Sequence, residues 1–203
     1  MLGVRTGSDG FCTTRVLPGQ KRLGYSSRVD RSMWNDTDIP LAVFFTFRCY
    51  GTWLHGDERG SVDRHNKAYG SPRIERNSNW QKHNEGALLH PPVSLDAARR
   101  RSVEKAIRDC CAKRGWTILA INVRTNHVHV VVAIGVKTPK NVLIALKANA
   151  TREMREDGLW SDEHSPWADK GSKRNLWNER SVWEACNYVN NEQGDKLPDF
   201  DWW

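Results

Sequence analysis

At 203 residues, with 38% hydrophobic and 27% charged content, the chain is long enough for one domain with a sizeable core, and no apolar run approaches a membrane span. Its 31 basic against 24 acidic residues give a formal charge of +7, which favours a polyanionic partner, nucleic acid first, over an acidic protein or a membrane; the ordinary alternative is a mildly basic domain without such a partner. Five cysteines (Cys12, Cys49, Cys110, Cys111 and Cys186), odd in number and never in Cys-x-x-Cys spacing, imply neither a disulfide framework nor a zinc ribbon.

Residues 1 to 38 carry Gly, Ser, Thr and Arg without periodicity. They are expected to be a disordered arm or an over-extended gene start, with Met33 as the alternative initiator, leaving residues 39 to 203 as the folded domain. The opening MLGVRTGSDG lacks the apolar core of a secretory signal, so a cytoplasmic location is expected. From Leu41 to Tyr50 the run LAVFFTFRCY alternates and predicts the first strand, with Val43, Phe45, Phe47 and Cys49 on one face and Thr46, Arg48 and Tyr50 on the other. A polar connection from Gly51 to Pro92 follows. It is far longer than ordinary connections, as functional or disordered loops are.

Asp96 to Arg114 predicts a helix with Val103, Ala106, Ile107 and Cys110 at helical spacing, a basic opposite face, and Gly115 as its stop. Thr117 to Val123 reads as a buried strand, and Arg124, Thr125 and Asn126 as the tight turn into a second one. That second strand begins NHVHVVV. His127 and His129 project to one face while Val128, Val130 and Val132 pack the other way. Two imidazoles on an otherwise apolar strand need partners, and a divalent cation is one solution. Half-exposed surface rings or hydrogen-bonded core rings are the ordinary ones.

Pro139 opens a helix running to about Asp157, with Leu143, Leu146, Ala150 and Met154 as its buried stripe and Gly158 ending it. Trp160 to Trp177 is expected to be basic loop with a short strand near Arg174 to Trp177. Ser181 is expected to cap a last helix from Val182 to Gln193, with Val182, Cys186 and Val189 as its apolar stripe. Tyr188 lies off the centre of that stripe and can face a cleft. Glu192, one turn on, shares its face, whereas Gln193 turns toward the stripe. The plain alternative is a tyrosine at the core margin beside a solvated glutamate. Most of the ten tryptophans are expected in the core, although exposed rings beside Arg and Lys suit stacking on unpaired bases.

With NHVHVVV followed by a late helix carrying CNYVNNEQG, the chain resembles the HUH-type single-tyrosine transposases. YGTWLHGDERGSVDR after the first strand, RGWTILAINVRTNHVHVVV in the middle and GSKRNLWNERSV before the last helix resemble the branch that includes the insertion-sequence-200-like and REP-associated tyrosine transposases; the likeness covers residues 39 to 194. It implies an α/β (α+β) fold, the HUH nuclease fold, in which a ferredoxin-like antiparallel sheet has helices packed on one face. It further implies that His127 and His129 are catalytic metal ligands for Mg²⁺ or Mn²⁺, that Tyr188 is the nucleophile, and that Glu192 is the third ligand. Members of the class often place an amide at that last position, and Gln193, one residue later here, is the alternative ligand.

The implied activity is cleavage and rejoining of single-stranded DNA through a 5′-phosphotyrosine. The implied partner is DNA with hairpin-forming ends, in the bacterial nucleoid, bound by a monomer or homodimer and without a membrane. By charge alone, Arg48, Arg124, Lys173 and Arg174 are candidate DNA contacts. The competing reading is a domesticated, catalytically inactive protein that binds single-stranded or hairpin nucleic acid. A metallo-hydrolase would need further ligands, such as an Asp where Val131 stands, and a two-histidine phosphoesterase would need a second copy of its motif.

Overall fold

The alternating run near residue 45 forms a strand because its two faces meet different surroundings. In the computed structural model, which describes residues 38–58 and 75–198, β1 (Ala42–Arg48) drops Val43, Phe45 and Phe47 into a dry core, with Cys49 just beyond it. Thr46 and Arg48 turn to the other side. The expected leader lies outside the described residues except for residue 38.

The elements that follow are α1 (Ser78–Gly86), α2 (Ala97–Arg114), β2 (Thr117–Val123), β3 (His127–Ala133), α3 (Pro139–Glu156), β4 (Ser172–Leu176) and α4 (Glu179–Asn191). The sheet order is β2-β3-β1-β4 and every neighbouring pair is antiparallel. With α2 joining β1 to β2 and α3 joining β3 to β4, this is the ferredoxin-like β-α-β-β-α-β arrangement anticipated from the sequence.

Helices α2 and α3 cover one face. Val103, Ala106, Ile107 and Cys110 from α2, with Leu143, Leu146, Ala150 and Met154 from α3, pack on the odd-numbered residues of β1 and on Val128, Val130 and Val132 of β3. The expectation of helices on one face holds for this pair, whereas α4 lies on the opposite face. There Ala185 and Val189 close a smaller cluster with Ala42, Ala120, Val131 and Leu176. The helix ends follow their residues: the Asp96 carboxylate accepts from Arg99 N at 2.8 Å, and Gly115 takes a left-handed φ of 67°.

The structure differs from the sequence reading in two elements, α4 and α1. α4 begins before Ser181, because Asn178 is the true cap and accepts from Ser181 N at 2.8 Å, while the Ser181 hydroxyl completes a reciprocal capping box. α4 also stops at Asn191, short of Gln193. Within the polar connection, α1 forms although none of its residues is buried; it docks through polar contacts, as in the Asn84 Nδ2 bond to the His55 carbonyl at 3.2 Å. Among the described tryptophans Trp160 and Trp167 are core, but Trp80, Trp177 and Trp183 are exposed, so most of these rings are not interior. No helix among the described residues is long and apolar enough to cross a membrane.

Candidate active site

The even-numbered residues of β1 and the histidines of β3 share the sheet face that α4 covers. Register sets Thr46 opposite His129 and Arg48 opposite His127. The tight turn before β3 is pinned from three sides: Arg124 N donates to His127 O, Leu95 N to Thr125 O and Cys49 N to Asn126 O, at 2.7 to 2.8 Å. The histidines therefore sit on a fixed hairpin.

A cavity of about 370 Å³ opens on this face, lined by Thr46, Arg48, Trp53, His127, His129, Tyr188 and Gln193 among others. The two imidazoles meet edge to face with ring centres 4.6 Å apart. Tyr188 packs edge-on against His129 at 5.5 Å, and Phe44 backs both rings. Asn122, paired with His129 across β2 and β3, donates from its side chain to Val189 O at 2.9 Å, which fixes α4 beside the histidine strand at the residue next to Tyr188.

Each histidine has its Nδ1 engaged. His127 Nδ1 lies 2.6 Å from Asn126 Oδ1, and His129 Nδ1 lies 2.8 Å from Thr46 Oγ1. An amide oxygen only accepts, so His127 donates from Nδ1, and the neutral ring then carries its lone pair on Nε2, the arrangement in which outer partners orient metal-binding imidazoles. His129 is buried. Desolvation first, and the neighbouring His127 second, push its imidazole down to about 3, so the ring is neutral at physiological pH as a ligand must be.

That shift has a consequence for stability. Between the unperturbed value of 6.5 and about 3 the unfolded chain takes up a proton that the native protein refuses, so stability falls as pH falls through this window. At about pH 5 the loss from this one group is on the order of 2 kcal/mol relative to neutral pH. His129→Gln, which binds no such proton, is expected to lose correspondingly less in metal-free urea unfolding measured at about pH 7.5 and about pH 5. Equal losses in the two proteins would remove His129 as the source.

The third-ligand candidates part company where α4 ends. Glu192 leaves helical geometry, with φ −115° and ψ 21°, and its exposed carboxylate accepts from Asn187 Nδ2 at 2.7 Å. The turn brings Gln193 back to the cavity wall, where Nε2 donates to the Tyr188 carbonyl at 2.9 Å and leaves the amide oxygen as the available ligand atom. Among the described residues no three of His, Cys, Asp and Glu converge. Two imidazole nitrogens and an amide oxygen nevertheless make a donor set that suits a divalent cation.

Of the four basic candidates only Arg48 lines this cavity. Arg124 lines a separate cleft with Arg100, Arg101 and Lys196, and donates to Asp195 O at 2.8 Å. Lys173 is exposed on β4 and donates to Gly171 O at 3.1 Å, while Arg174 is half-buried on the same strand. Sequence reasoning missed the roles of Thr46 as orienter of His129, of Asn122 as anchor of α4 and of Trp53 as cavity wall. For Thr46 a signal was present, since it shares the polar face of β1 with Arg48.

Residues 93–192 match the family model described as "Transposase IS200 like", the family that the sequence motifs resemble. The span runs from before α2 to the end of α4 and takes in both histidines and Tyr188. No curated protein matches the chain. Among solved structures, a REP-associated tyrosine transposase bound to a REP hairpin is 12% identical, with a TM-score of 0.42, over 74% of this chain and 65% of its own length. A candidate transposase from Deinococcus radiodurans R1 is also 12% identical, with a TM-score of 0.37, over 79% of this chain and 97% of its own.

Proposed function

We propose that a chain whose residues 93–192 match IS200-like transposases is a metal-dependent single-tyrosine DNA nuclease and strand transferase acting on single-stranded DNA with hairpin-forming ends. The observation that carries this reading is the convergence of Tyr188, from α4, with His127 and His129, from β3, on one cavity that also holds a guanidinium. A tyrosine hydroxyl, two imidazoles and a guanidinium suit phosphodiester chemistry better than any other use of the same residues.

His127, His129 and Gln193 would hold Mg²⁺ or Mn²⁺, and the cation would supply charge to polarise a phosphodiester oxygen and offset the charge building on the scissile phosphate. Tyr188 Oη attacks phosphorus. The P–O bond to the DNA 3′ oxygen breaks, the phenol loses a proton, the 3′ oxygen gains one, and the 5′-phosphate stays on the tyrosine. Attack by another 3′-hydroxyl reverses the step, so rejoining consumes neither water nor nucleotide. Arg48, opposite His127 in register, would pair with a phosphate oxygen.

The test is incubation of the purified protein with end-labelled single-stranded hairpin oligonucleotides and Mn²⁺. A denaturation-resistant protein–DNA adduct that chelator suppresses is expected. Strand binding without any adduct would point to the domesticated binding protein instead.

The geometry at the end of α4 favours Gln193 over Glu192 as the third ligand. Gln193→Ala is expected to raise the Mn²⁺ concentration for half-maximal cleavage by about tenfold or more, and Glu192→Ala to change it less than about twofold. A metal titration of adduct formation checks both, and the opposite ranking would restore Glu192 as the ligand.

A further inference from the structure

The catalytic cavity shares a wall with a second one. Arg48, Thr52 and Trp53 line both, and the neighbour, of about 280 Å³, is completed by Tyr50, Leu88 and Asp169 among others. The Arg48 guanidinium lies 4.4 Å from the centre of the Trp53 ring, a cation–π contact that stiffens the partition. The surrounding chain is equally fixed. Thr52 Oγ1 donates to Cys49 O at 2.9 Å, the Tyr50 hydroxyl accepts from Leu89 N at 3.1 Å, and a Cβ on Gly51 would meet Pro92 Cα at 2.9 Å.

Resting on the single-stranded DNA reading above, we infer that this second cavity is a slot for the nucleobase beside the scissile phosphate. The nucleotide next to a phosphate in the first cavity must place its base nearby, and the partition offers what a base and its phosphate each need. Trp53 supplies a ring to stack on, Arg48 a cation for the bridging phosphate, and Tyr50 and Leu88 an apolar enclosure. Asp169, at the rim, only accepts hydrogen bonds. It therefore favours a base presenting an exocyclic amino group, such as cytosine or adenine, and disfavours thymine, whose carbonyl oxygens flank its single N–H. The slot makes the flanking base a determinant of where the strand is cut.

Binding without divalent metal isolates the slot from the chemistry. Fluorescence anisotropy with oligo(dC), oligo(dT) and an abasic strand of equal length is expected to rank affinity in that order. Trp53→Ala should weaken oligo(dC) binding about tenfold or more and shift the abasic strand by less than about twofold, while Trp53→Phe, which keeps a ring, retains most of the affinity. Asp169→Asn should narrow the gap between oligo(dC) and oligo(dT). If Trp53→Ala weakens the abasic strand as much as oligo(dC), or weakens neither, the slot is wrong; a Tyr188-dependent adduct in the same preparation would leave the nuclease reading standing. Absence of both strand binding and adduct would remove the two together.

Discussion

Tyr188→Phe is expected to bind single-stranded DNA about as well as the native protein and to form no denaturation-resistant adduct, a drop of at least about a thousandfold. The substitution removes one oxygen and keeps the ring that packs on His129 and Phe44. Tyr188 is 39% exposed, so the fold has little reason to register the change. A loss confined to covalent chemistry would thus identify the nucleophile instead of reporting a damaged helix. Parallel measurements of strand affinity and adduct yield decide the matter, and an adduct that persists in Tyr188→Phe would place the nucleophile elsewhere.

The second large effect is expected at His127. His127→Ala should lower metal-dependent cleavage by about a hundredfold or more at limiting Mn²⁺, with partial recovery as the metal is raised, because one of the three proposed ligands would be lost while the other two remained. His127 is the cleaner probe of the pair. His129 is 7% exposed and hydrogen-bonded to Thr46, so truncating it also opens a hole and orphans a hydroxyl. His127 is half-buried, so its removal disturbs the packing less. Cleavage rate against Mn²⁺ concentration is the measurement, and unchanged metal dependence would mean that the cation binds away from this strand.

Much of this was legible in the sequence where the signal was local. The alternation in β1, the three-residue turn between β2 and β3, and the Asp96 and Gly115 ends of α2 are all written within a few residues of where they act. His127 and His129 needed only strand periodicity to be placed together. α1 was illegible because it buries nothing and so carries no apolar period. The partners of the histidines depend on strand register: Thr46 reaches His129 across 83 residues, a pairing that no local pattern encodes. At the end of α4 the difficulty was of another kind. Projecting residues at 100° each puts Glu192 beneath Tyr188 only while the helix lasts, and it ends one residue too soon.

β1 and β3 each devote one face to the core and the other to the site, residue by residue. Phe45 and Phe47 interleave with Thr46 and Arg48, as Val128 and Val130 do with His127 and His129. Loss or gain of a single residue within either strand would exchange the two sets, driving a guanidinium or an imidazole into the packed interior and turning valine or phenylalanine toward the cavity. Genetic change in this protein therefore has two unequal currencies. Substitutions on the site face can revise its chemistry while the core stands, whereas a one-codon insertion or deletion in either strand removes fold and chemistry in one step.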